Sequence, residues 1–208
     1  MSDKVTAESL GYENDDVLKL INAIPKPNYS VNVRMSSIER TLKDYGENEG
    51  LELEPDFQRG HVWTQEQQIA YCESLVRGVL GDAGRTITFN APSWATYNKK
   101  SDSDLDVMVC IDGLQRLTAV RKFYKKEFKI FDFIDGGVYW DFFMGTAVNP
   151  NTMGNGLIFQ VFDMQYKLDV LNYYLAFNDG GTPHSKEEIQ RIRDMRDELI
   201  KKRQNRNV

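Results

Sequence analysis

The chain of 208 residues is 41% hydrophobic and 27% charged, which is typical of a globular protein that folds as one domain around a sizeable core. Its formal net charge of −5 gives no overall attraction to nucleic acid and argues against a protein that coats DNA without specificity. Cys72 and Cys110 lie far apart in apolar patterns, which argues against a disulfide framework and against a cysteine-rich metal cluster.

The N-terminal part predicts an arm followed by the start of a domain. Residues 1–28 are interpreted as the arm, and residues 29–208 as one domain. Residues 29–35 alternate between apolar and polar and predict a short strand, after which Ser36 or Ser37 is expected to cap a helix. No secretory signal opens the chain and no apolar run approaches the ~20 residues of a membrane span, so we expect a cytoplasmic protein without membrane contact.

A capping-box pattern marks the next helix. Thr64 is placed to accept from an N–H in the first turn while Gln67 reaches back, which predicts a helix over about residues 65–80 that packs on a sheet. Its apolar face consists of Ile69, Cys72, Leu75, Val76 and Val79.

Residues 51–57 are expected to extend toward Gln58 and Arg59, which precede this helix together with Trp63. By sequence alone, Arg59 fits a salt bridge with the acidic run before it. Trp63 fits a hydrophobic staple on the helix.

The centre of the chain predicts a buried strand that turns sharply into a helix. Residues 86–90 predict another strand. The polar loop 91–106 after it either covers a ligand or is a disordered insertion. Residues 107–111 are apolar, Asp112-Gly113 breaks the run, and apolar residues then recur at helical spacing. Such a junction points amide N–H groups at one spot, where Arg116 and Gln115 add a charged fork and a neutral amide. The alternative is an ordinary turn with Asp112 in it and Arg116 in solvent.

The C-terminal part predicts two more helices. Aromatic residues are dense over 138–143 and indicate core or a partner surface, and 157–162 predicts a strand. Helices are expected over 165–178 and 185–203, joined by an elbow whose Gly180 and Gly181 favour a C-cap. The basic residues 201–206 complement a helix dipole or contact nucleic acid. The pattern as a whole predicts an α/β (α+β) domain, with a small mixed sheet flanked by helices and a helical C-terminal part.

Three stretches resemble one known family. The segment Asp112-Gly113-Leu114-Gln115-Arg116-Leu117-Thr118 is similar to the DGQQR motif of the N-terminal domain of GmrSD-type restriction endonucleases, which also occurs in SspE. The stretches 55–63 and 178–189 are similar to the same family, within the ParB/sulfiredoxin-like superfamily. The chain has Leu114 where the family usually has glutamine.

The resemblance implies binding of a nucleoside triphosphate, with Mg²⁺ as its companion ion, and a role in defence against foreign or modified DNA. The residues implied in nucleotide or phosphate binding are Gln58, Arg59, Trp63, Asp112, Gly113, Gln115, Arg116, Thr118, Asn178, Gly180, Gly181 and Thr182. Hydrolysis would depend on Asp112, Gln115 and Arg116, with Asp112 serving a metal ion or an attacking water.

Other chemistries lack their residues. The chain has no G-x-S-x-G, G-x-G-x-x-G or Walker pattern, and His61 and His184 are not in a metal-binding spacing, so we expect no nuclease activity from this chain itself. Sulfiredoxin chemistry needs a cysteine in the turn, where Leu114 stands. Two functions remain. One is a module that binds a nucleoside triphosphate, with or without hydrolysing it, and the other is a non-catalytic regulatory protein that contacts DNA or a nuclease subunit.

Overall fold

A computed structural model describes residues 6–13, 16–17, 20–21, 25–58, 60, 62–92, 94, 103–178 and 186–206. The strands are β1 (Tyr29–Val33), β2 (Thr86–Asn90), β3 (Val109–Asp112) and β4 (Leu157–Phe162). The helices are α1 (Ile38–Glu49), α2 (Gln65–Val76), α3 (Asp82–Arg85), α4 (Leu114–Tyr124), α5 (Lys167–Asn178) and α6 (Lys186–Arg206). Within these residues, no helix is both long enough and apolar enough to cross a membrane.

The strands form one mixed sheet in the order β1-β4-β2-β3. The central pair, β4 and β2, is parallel, while β1 and β3 are antiparallel to their neighbours and lie at the two edges. This arrangement confirms the predicted α/β (α+β) fold with a small mixed sheet flanked by helices.

The sheet separates two apolar clusters. One face packs against α1, α2 and α4, and its fully buried residues include Ile87, Phe89 and Phe159. The other face packs against α5 and α6 and buries Ile111 and Tyr174. Strand residues alternate between these clusters because successive side chains point to opposite faces.

The predicted capping box of α2 is confirmed, but the helix is shorter than predicted. Gln67 N–H donates to Thr64 Oγ1, and Thr64 N–H donates to Gln67 Oε1 at 2.9 Å. The helix ends at Val76 because Gly78 adopts a left-handed backbone with φ of +67°. Val79 is therefore 70% exposed, and its placement on the buried face was wrong.

Other expectations differ from the structure at element ends. The strand predicted over 29–35 ends at Val33, because Met35–Ser37 forms a 3-10 turn that leads into α1. Ser37 is the N-cap residue of α1, but its side chain makes no capping hydrogen bond. The two C-terminal helices run 167–178 and 186–206. Much of the 91–106 loop and the whole glycine elbow, Gly180 and Gly181 included, lie outside the described residues.

The turn from β3 into α4 is confirmed, and it requires glycine. Gly113 has φ of +95° and packs against β2. A Cβ atom built there would lie 2.7 Å from Ile87 Cδ1 and 3.1 Å from the main-chain oxygen of Thr86. Both the left-handed backbone and the close approach exclude a larger residue.

We expect Gly113→Ala to lower the free energy of unfolding by about 2 kcal/mol or more, because a left-handed alanine is strained and its methyl group meets the main chain of β2. Urea denaturation followed by circular dichroism measures this change. Gly46→Ala is the matched control: Gly46 lies in α1 with open space around it, so alanine there should raise stability by about 0.5–1 kcal/mol. Equal stability of the two variants would contradict the assignment.

Candidate functional site

Asp112 and Arg116 form an ion pair at the beginning of α4. Arg116 lies one helical turn after Asp112, and its Nη2 donates to Asp112 Oδ2. The arginine and aspartate side chains are 19% and 22% exposed, so the pair is largely shielded from water. Arg116 Nε is buried and has no hydrogen-bond partner among the described residues. The pair thus neutralises two charges and leaves one strong donor unused.

Gln115 has a different role from its neighbour, because its amide holds the segment before α2. Its Oε1 accepts from the N–H groups of Val62 at 2.9 Å and Trp63 at 3.1 Å. Its Nε2 donates to Gly60 O at 3.0 Å. These contacts join residues more than fifty positions apart and fix the loop against the first turn of α4.

Gln58 and Trp63 also serve the packing of this loop. In one orientation of its amide, Gln58 donates to Ile111 O at 3.4 Å, and in the other it donates to Leu53 O at 3.0 Å and Cys110 O at 3.1 Å. The Trp63 ring packs on α2, as predicted, but its contact is Tyr71 at 5.4 Å between centroids, because the usual staple position is the polar Gln68.

A β-bulge sets the direction of Asp112. Thr88 pairs with Asp112 and Phe89 pairs with Cys110, so Ile111 has no partner and is the extra residue. Bulges of this kind re-aim the side chains that follow them. The bulge places Asp112 opposite Thr88, and the Asp112 charge acts on Tyr173 of α5.

Two tyrosines that the sequence did not single out lie beside the ion pair. Burial raises the pKa of the Tyr173 phenol, a hydrogen bond with Thr88 opposes the rise, and the Asp112 charge adds to it. Burial also raises the pKa of Tyr71, and the nearby Arg116 charge opposes it. Both phenols therefore stay protonated at neutral pH. Tyr173 lies among Leu168, Leu171 and Leu175, which recur at helical spacing in α5, so the sequence pattern indicated only a core residue.

The C-terminal helices also hold the loop. Arg191 of α6 donates to Asp56 O at 2.7 Å and to Phe57 O at 3.2 Å. Lys167 of α5 donates to the two carboxylate oxygens of Asp56 at 2.8 and 2.6 Å. The hydrophobic periodicity did not predict these contacts, because Arg191 and Lys167 each fit the pattern of an exposed polar residue on a helix.

Not every predicted site residue can be placed in this arrangement. Thr118 is half-buried in α4, and Asn178 is the last residue of α5. Arg59, Gly180, Gly181 and Thr182 lie outside the described residues.

Both cysteine side chains are buried in the core. Cys72 and Cys110 are fully buried and unpaired with each other. Burial raises the pKa of both thiols, and the Asp112 charge raises that of Cys110 further. A raised pKa keeps a thiol protonated and poorly nucleophilic.

Comparison with known proteins identifies a family. The model of the family described as GmrSD restriction endonuclease, N-terminal domain, matches residues 38–207. No curated protein matches the chain, and no solved structure matches it.

We expect Gln115→Leu to lower the free energy of unfolding by about 1–3 kcal/mol, because the loop loses three hydrogen bonds while helix propensity stays the same. Gln115→Glu should lower it less, since a carboxylate still accepts from the two N–H groups. Thr118→Ala in the same helix is the control and should be nearly neutral. Urea denaturation of the three variants measures these changes. An unchanged midpoint in Gln115→Leu would contradict the role of Gln115 in holding the loop.

We expect neither cysteine to react in the native chain with Ellman's reagent at about pH 8, near the ordinary pKa of a free thiol. Both thiols should react with the reagent only in denaturant, because the reaction needs an exposed and ionised thiol. Rapid labelling of one thiol per native chain would show that a cysteine is available for chemistry.

Proposed function

Because the chain belongs to the family of GmrSD restriction endonuclease N-terminal domains, we propose that it binds a nucleoside triphosphate at the turn from Asp112 to Thr118. Family membership supports a role in restriction. The finer assignment depends on the local geometry of β3 and α4.

The observation that carries the proposal is the state of Arg116. Its guanidinium lies in the first turn of α4, is shielded from water, and keeps a buried Nε without a partner. The first N–H bonded within the helix is that of Leu117, which donates to Gly113 O at 2.8 Å, and Gly113 offers no side-chain cap. The preceding amides and the guanidinium thus point to an anion, and a phosphate satisfies several of these donors at once.

Nucleotide binding then takes the form of an exchange. A phosphate oxygen takes the place of the Asp112 carboxylate on Arg116 and frees that carboxylate. Asp112 would hold Mg²⁺ together with the phosphates, which fits a cation that typically uses one or two carboxylates plus phosphate oxygens. Bound Mg²⁺ would offset charge on the phosphates.

The surrounding groups are assigned to positioning. The amides of Gln58 and Gln115 are engaged with main-chain groups, so they support the site by fixing the loop and the strand. Thr88 pairs with Asp112 between the strands and is hydrogen-bonded to Tyr173, so neither hydroxyl group adds a charge next to the carboxylate.

A second candidate is a regulatory protein that contacts DNA or a nuclease subunit without hydrolysing a nucleotide. The closed Asp112–Arg116 pair favours it, since in this arrangement the carboxylate is engaged by the arginine. The two candidates differ in whether the chain releases phosphate from a bound nucleotide.

We expect Arg116→Ala to weaken nucleotide binding about tenfold to a hundredfold, because charge-assisted hydrogen bonds contribute ~1.5–3 kcal/mol each. Arg116→Lys should restore only part, since a point charge lacks the planar fork. Lys122→Ala removes one charge from the same helix away from the turn and should bind normally. Titration with ATP, GTP, CTP and UTP, with melting temperatures on the same samples, measures this. Normal affinity in a destabilised Arg116→Ala would assign Arg116 to the fold.

Asp112→Asn extends the same experiment and separates the candidates. If Asp112 serves Mg²⁺ and water, the variant should bind nucleotide without Mg²⁺ at least as tightly as the parent chain, while phosphate release is lost. If the parent chain binds nucleotide but releases no phosphate, the regulatory candidate holds. If no nucleotide shifts the melting temperature of the parent chain at millimolar concentration, the proposed function is wrong.

A further inference from the structure

A groove lies at the opposite edge of the sheet from the Asp112 turn. It runs between the outer edge of β1 and helix α1 and has a volume of about 390 Å³. The consecutive residues 31–34 all line it. Since side chains of a strand alternate between faces, consecutive residues can line one groove only along the strand's edge, where main-chain groups are accessible.

The outer edge of β1 has no strand partner among the described residues. β1 is the terminal strand, and its other side pairs with β4. No residue in the described ranges pairs with its free side. A row of unpaired N–H and C=O groups is a template for one more strand.

The floor of the groove is aromatic. Tyr45 is 8% exposed and meets the Trp94 ring edge-on, with centroids 5.5 Å apart. Tyr29 is 41% exposed and lies 5.6 Å from the same ring. Burial raises the pKa of Tyr45 to about 12, which keeps its hydroxyl protonated as a donor. These rings offer apolar area to alternate side chains of a bound strand.

The rim of the groove is cationic. Arg34 and Arg40 are both exposed and line the groove. Neither makes an ion pair or hydrogen bond with any residue that the structure describes, whereas Arg121 of α4 is paired with Glu39 of α1. In a chain with a net charge of −5, two unpaired arginines on one groove form a local positive patch.

We infer that this groove binds an extended peptide with acidic side chains, which adds to β1 as a fifth strand. The edge of β1 bonds the peptide main chain, Tyr29 and Trp94 contact its apolar side chains, and Arg34 and Arg40 pair with its carboxylates. A single-stranded nucleic acid shares the need for cations and rings but has no main chain to pair with β1, so the free strand edge favours a peptide.

The first test is selection of random nonapeptides displayed on phage against the full chain. We expect enrichment of peptides that alternate acidic with apolar residues. The variant Arg34→Glu with Arg40→Glu should bind the selected peptides at least about tenfold more weakly, whereas Lys201→Glu with Lys202→Glu on α6, which changes the charge equally, should not. Failure to enrich any peptide, or equal binding by the Arg34/Arg40 variant, would overturn the inference.

The second test asks whether the peptide pairs as a strand. The best selected peptide is synthesised with N-methyl groups on its odd residues or on its even residues. Because alternate N–H groups of a strand face its partner, one series should lose binding and the other should keep it. Equal effects of both series would exclude strand addition. Binding of a labelled 20-mer of deoxythymidine that competes with the peptide and is lost in the Arg34/Arg40 variant would assign the groove to nucleic acid instead.

Discussion

The side-chain amide of Gln115 is the contact on which the site depends. It holds the main chain at Gly60, Val62 and Trp63, and so fixes where the chain enters α2. The next contacts along the chain are local. Thr64 caps α2, and the Gln68 side chain donates to Trp63 O at 3.1 Å. With α2 placed, Tyr71 lies next to Arg116, within reach of its charge. A single amide in α4 therefore joins two segments that are far apart in sequence.

The parts of the fold that could be predicted from sequence are those set by local rules. The capping box at Thr64, the strands at 86–90 and 157–162, and the turn at Gly113 follow from hydrogen bonding and backbone sterics within a few residues. The length of α2 was missed because one apolar residue, Val79, continued the stripe beyond the glycine that ends the helix.

The arrangement of the candidate site needed contacts that no local pattern encodes. The bulge at Ile111 depends on how β3 registers against β2, so the proximity of Thr88 and Tyr173 to Asp112 could not be read along the chain. The same holds for Arg191, which reaches the main chain of the 56–57 segment across 134 to 135 positions. Basic residues that face solvent and basic residues that make functional contacts occur at the same spacing along a helix. Only the tertiary contacts distinguish them.

The DGLQR segment divides its residues among different tasks. Gly113 makes the turn, Leu114 is 4% exposed and packs in the core, Gln115 holds the loop, and Arg116 keeps an unused donor. Leu114 therefore adds to the core and supplies no side-chain donor to the turn. Changes at Gly113, Leu114 or Gln115 alter folding before they alter binding. Arg116, whose only described partner is Asp112 one turn away, is the position at which ligand contact can be separated from stability.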